Sequence, residues 1–171
     1  MLNLSRFRFL LRTEQRFNHT AGQCARRRYR EMNELLESNK PDMQTIAHID
    51  TELYACVVKN IRSDRVVLLE NQKEHIIKRR GQNFFNKYSC YFQEIAEQPD
   101  YIFADKAHPH TAIACKTIEI SGKSVNLVIR LAVETDADGL ENSIITAIIE
   151  NNKRFQQRLR NNKLLYKREC L

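Results

Sequence analysis

The residues of this sequence best suited to chemistry are a histidine in a short helical run and two cations inside largely apolar strands, with a threonine on a later strand. His75 stands in EHIIKRR, residues 74–80, and histidine is the side chain type best suited to accept or deliver a proton under physiological conditions. The competing reading is a histidine packed beside Ile76 and Ile77 at a helix edge. Lys116 ends TAIACK and Arg130 lies in NLVIRL. A cation inside a strand must find water or an anion, and two in neighbouring strands of one hairpin say more than one. Ser143 and Thr146 in NSIITAI are three apart and face opposite ways on a regular strand, so only one can face the site; Thr146 is preferred as a phosphate donor, with a plain strand residue as the alternative for either. Such a set offers proton transfer and stabilisation of developing negative charge.

Around these lie candidate binding residues. Arg79 and Arg80 follow His75. Arg154 and Arg158 are four apart on the last helix, opposite Phe155 and Leu159, and suit phosphate contacts; a solvated basic face is the equal alternative. Tyr166 is placed to stack on a base or donate its hydroxyl, or to pack in the core, and Lys167 follows it. The net charge of +7 is unevenly distributed. Residues 1–40 hold nine Lys/Arg against four Asp/Glu, and residues 150–171 hold seven against two. Clustered basic charge attracts polyphosphates by releasing their counterions. Glu134, Asp136, Asp138 and Glu141 instead bunch into one acidic loop.

No cofactor is expected. The five cysteines are widely spaced without a CxxC, so reduced thiols in a cytoplasmic protein are the economical reading, with Cys56 and Cys115 on strands. His108-Pro109-His110 reads as a solvated loop pair, and no paired ligand set suggests a metal.

The elements that position these residues follow from periodicity and punctuation. Tyr29, Met32, Leu35 and Leu36 give a helix over 24–37, ended by Lys40-Pro41, and the boundary between a basic arm (1–40) and a domain (41–171) falls there. Extended stretches are expected at 52–59 and 65–69. A helix capped by Asn71 runs to Arg80 with Gly81 as its stop, and a second spans 84–97 before Pro99. Strands follow at 102–104, 111–120, 125–133 and 143–149. A short basic helix capped by Asn151 or Asn152 and a closing strand at 163–167 complete the chain. Ser121-Gly122-Lys123-Ser124 joins two strands as a hairpin. A three-residue loop sets Lys116 opposite Arg130 on one face; a two-residue loop puts them on opposite faces. Alternation of Val125, Leu127, Ile129, Leu131 and Val133 marks an apolar face that Arg130 points away from.

Length and composition bound the class. One domain fits 171 residues, 42% of them hydrophobic and 29% charged, a globular profile. No apolar run approaches the roughly 20 residues of a membrane-spanning helix. The opening MLNLSRFRFLLR is broken by Arg6 and Arg8 and is no secretory signal; as an Arg-rich, acid-poor segment it also fits an organellar transit peptide.

Six motifs in order, EHIIKRR, QPDYIFAD, TAIACK, NLVIRL, NSIITAI and RNNKLLYKRE, resemble the phage- and mobile-element-associated nucleases of the barnase, EndoU, colicin and RelE superfamily. The resemblance covers the chain from Ile46 onward. It implies an α+β fold, with N-terminal helices packed on one face of an antiparallel sheet of about four to five strands and a concave RNA site on the other. It also implies metal-independent cleavage of tRNA, rRNA or mRNA to a 2′,3′-cyclic phosphate, as in a toxin or phage-borne effector with an immunity or antitoxin partner. His75, Lys116, Arg130 and Thr146 would be catalytic, and Arg79, Arg80, Arg154, Arg158, Tyr166 and Lys167 would bind RNA. One departure matters: the family carries a second histidine where this chain has Arg80, and a guanidinium does not exchange protons in proteins. An RNA-binding module of the same fold without catalysis is the alternative.

Overall fold

The computed structural model describes residues 43–118 and 123–169; the arm 1–40 and its expected helix lie outside the described residues. Seven strands lie among the described residues: β1 (Met43–His48), β2 (Arg65–Leu69), β3 (Tyr101–Ala104), β4 (Thr111–Ile118), β5 (Lys123–Arg130), β6 (Asn142–Glu150) and β7 (Leu164–Lys167). They form one sheet in the order β1-β2-β6-β5-β4-β3-β7. β2 and β6 run parallel and the other neighbours antiparallel. The class is α+β, as the order of elements suggested, but the sheet is mixed and wider than the four to five strands expected.

One strand was hidden, and one expected extended stretch proved helical, each for a physical reason. β1 is mostly exposed, so it carries little apolar alternation. The stretch expected to be extended at 52–59 instead opens with helix α1 (Thr51–Tyr54), because the Asp50 carboxylate accepts from the N–H groups of Glu52 and Leu53 at 2.9 and 3.2 Å. A first-turn cap of this kind outweighs local strand preference, and Cys56 is therefore not a strand residue.

Helix α2 (Glu70–Arg80) begins directly after β2, with Leu69 in the cap position, two residues earlier than an Asn71 cap would place it. Gly81 ends it with a φ of 91°, a left-handed conformation that glycine tolerates best. The second expected helix is broken into α3 (Gln82–Tyr88), a 3-10 turn (Ser89–Tyr91) and α4 (Phe92–Glu97). These helices cover one face of the sheet. Ile76, Tyr88, Phe92 and Ile95 bury against Ile102, Ala112, Ala114, Leu127, Ile129 and Ile144. Helix α5 (Asn152–Asn161), capped by the Asn151 side chain on the Arg154 N–H, packs on the opposite face. There Phe155 and Leu159 meet Phe103, Ile113, Cys115 and Tyr101. The second face is thus partly covered and not an open concavity.

Candidate nucleic-acid interface

The β4–β5 register decides the geometry of the expected site. Ile118 pairs with Lys123, Lys116 with Val125, and Arg130 with Thr111. Lys123 is a strand residue, so the connection spans residues 119–122, which are not described, and neither hairpin considered from sequence has this pairing. Lys116 shares its face with Ala114 and Val125, beneath α4. Its ammonium donates to the Gln98 carbonyl at 3.0 Å and lies 3.2 Å from Glu94 Oε1. Arg130 points the other way, as the alternation in β5 indicated. Its Nη2 grips both Asp136 oxygens at 3.0 and 3.1 Å, and Nη1 donates to the Leu131 carbonyl.

His75 stands exposed on α2, in the layer above the face that carries Lys116. The structure therefore does not bring His75, Lys116 and Arg130 into one site. The two cations are separated by the sheet itself, and each already has a carboxylate. Thr146 pairs with Val128 and Ser143 with Arg130. A bulge between those pairs adds one residue on β6 and places both hydroxyls on the face of Arg130, where regular alternation would have separated them.

The acidic loop is held from inside by arginines. Arg62 donates to the carbonyls of Ala137 at 2.7 Å and Glu134 at 3.2 Å, and also to that of Asp136. The Val133 N–H and the Arg130 guanidinium hold the Asp136 carboxyl below its usual range. His108 lies 3.3 Å from Asp105 in the β3–β4 loop. Burial pushes the Cys115 thiol up, so it is a packing residue and no nucleophile.

The expected binding residues divide. Tyr166 pairs with Ile102 on β7 and packs against the main core, which favours the packing role over base stacking. Arg79 and Arg80 are exposed in the last turn of α2, where they also complement the helix dipole. Lys167 is exposed on β7. Arg154 is exposed on α5, and Arg158 is held beside it: its Nε donates to Glu150 Oε2 at 3.0 Å, and Nη2 donates to Oε1. Their side chains are only 14% and 9% exposed. Burial alone would raise the Glu150 carboxyl, but the hydrogen bonds and charge of Arg158 win and hold it below its usual value. Arg154, Gln157, Arg158, Asn161, Asn162 and Glu150 line a groove of about 280 Å³ along this helix. Glu150 has no local sequence signature, because its partner lies eight residues away across the cap of α5.

Neither a family model nor a curated protein or solved structure matches this chain. Among the described residues, no helix is long and apolar enough to cross a membrane.

Proposed function

We propose that the domain binds RNA through a basic surface formed by α5, the turn after it and β7. The observation that carries this reading is a run of five exposed, unpaired cations between residues 153 and 167, on α5 and the strand that follows it. Arg62, Arg65, Lys73, Lys116 and Arg130 each face a carboxylate. Lys153, Arg154, Arg160, Lys163 and Lys167 are exposed, and no carboxylate among the described residues pairs with them. Unpaired cations gathered on one segment release counterions when a polyphosphate docks, and that release drives binding. The ordered motifs from EHIIKRR to RNNKLLYKRE favour RNA among polyanions. Cleavage by His75, Lys116 and Arg130 is not part of the proposal, since they lie apart.

Binding of a labelled single-stranded RNA, followed by anisotropy across a salt series, tests the reading. Affinity should fall linearly with salt on logarithmic axes, and the RNA should stay intact in EDTA. Salt-insensitive or absent binding would remove the proposal, and chelator-resistant cleavage would restore the nuclease reading.

A further inference from the structure

A second group of cations lies on the other side of the sheet from α5. Residues 75–93 hold four Lys/Arg and no Asp/Glu. Lys78, Arg79 and Arg80 close α2, and Lys87 lies on α3, which packs against α2. All four are exposed, and no carboxylate among the described residues pairs with any of them. Basic residues in a last turn complement the helix dipole, but that role does not keep acids off the whole of α3 and the turn after it. Beside these cations stands an aromatic platform. The Lys87 ammonium lies 5.4 Å from the centre of the Tyr88 ring, and the half-buried Phe84 ring is 5.1 Å from the same ring. A ring next to a cation is where a single-stranded base stacks whatever its identity. A lipid surface fits less well. The exposed large hydrophobics among the described residues are Met43, Leu140 and Leu164, none of them on α2 or α3, so nothing there would enter an acyl layer.

We propose that the α2–α3 surface is a second site for single-stranded RNA, so that one domain holds two RNA segments at once. The inference rests on the RNA-binding reading of α5 above and adds a separate site to it. The sheet keeps the two apart. α2 covers β2 and β6 on one face, and α5 meets β3 and β4 on the other through Phe155. Each helix layer adds about 10 Å on its own side, so the two sets of cations stand roughly 20 Å or more apart. No single phosphate touches both. Positive charge does not run on from α3 through α4 either, because the next charged residues along the chain are Glu94 and Glu97, and Glu94 is exposed. Two such sites suit an RNA that folds back on itself, or two strands brought together.

Counting the oligomers bound to the full chain tests the second site. A single-stranded oligo-U of about six nucleotides covers one such site and is too short to reach round the sheet to the other. At low salt two oligomers should bind per chain. Lys78→Ala, Arg79→Ala and Arg80→Ala combined should reduce the count to one, and the oligomer that is kept shows that the variant folds. Lys153→Ala, Arg154→Ala and Arg160→Ala combined should also leave one, now held by α2 and α3. One oligomer per chain on the unaltered protein would overturn the second site and leave the α5 reading standing. Two oligomers on the variant altered at Lys78, Arg79 and Arg80 would overturn it as well, since another part of the chain would then hold the second. Binding of none by the unaltered protein would overturn both.

Discussion

Lys116 and Arg130 point to opposite faces of one hairpin, the first paired with Val125 and the second with Thr111. Five residues of strand also separate them, about 17 Å along the sheet. A single phosphate cannot bridge two cations so placed, and each is already committed to a carboxylate. Their work is structural: Lys116 ties β4 to α4, and Arg130 ties the end of β5 to the acidic loop. Lys116→Met should therefore lower unfolding stability in urea by about 1.5–3 kcal/mol, the weight of a hydrogen bond made by a charged group. RNA affinity should stay within about two-fold. A ten-fold loss of affinity at unchanged stability would return Lys116 to the binding surface.

His75 is the sharper case. It is exposed on α2, and among the described residues no side chain partners it. A surface residue of this kind changes stability by no more than about 0.5 kcal/mol when truncated. His75→Ala should match the unaltered protein in stability and RNA affinity, and both should leave RNA uncut in EDTA. Cleavage lost only in the variant would show that the imidazole is catalytic after all.

The parts of the fold that follow from local rules were legible before the structure. Gly81 stops α2, Asn151, one of the two asparagines offered as its cap, caps α5, and Val125, Leu127 and Ile129 face the core as their alternation indicated. What could not be read was relational. The pairing of Ile118 with Lys123 depends on how the whole sheet packs, and a one-residue change in register reverses every face. The bulge on β6 puts Ser143 and Thr146 on one face against the local period. β1 has no apolar rhythm because most of it is exposed. Arg154 and Arg158 on α5 were visible as a basic stripe, but the carboxylate that organises Arg158 was not, since ion pairs across a cap leave no spacing rule.

The Glu150–Arg158 pair gives a pH signature. The folded carboxyl lies below its usual value because the hydrogen bonds and charge of Arg158 outweigh burial. A carboxylate depressed on folding adds stability above its unfolded pKa, about 4.3, and loses it as the pH falls through the lower folded value. The unaltered protein should exceed Glu150→Gln in stability at about pH 6, and the difference should shrink steadily below about pH 4. A difference that grows on acidification would mean that the carboxyl is protonated in the folded state. In the same variant, loss of the clamp on Arg158 should weaken RNA binding for every sequence alike.

The last prediction concerns the junction that joins the two halves of the sheet. β2 and β6, the one parallel pair among the described strands, are matched at only two positions, Val66 with Asn142 and Val67 with Ser143. Asn142 supplies what so short a ladder lacks. Its Oδ1 accepts from the Ala132 N–H at 2.8 Å, and its Nδ2 donates to the carbonyls of Ser63 at 2.6 Å and Arg65 at 3.0 Å. The side chain is fully buried, so water cannot take over these bonds when it is removed. Asn142→Ala should cost about 3 kcal/mol, because three backbone groups lose their partner at once. Asn142→Asp should do at least as much harm, since a carboxylate would face two carbonyl oxygens and has no proton to give either. Hydrogen exchange should show the loss first at β1 and β2, which are joined to the rest of the sheet through this seam. A loss below about 1 kcal/mol in Asn142→Ala would mean that packing of Val66 and Val67, and not this amide, holds the seam.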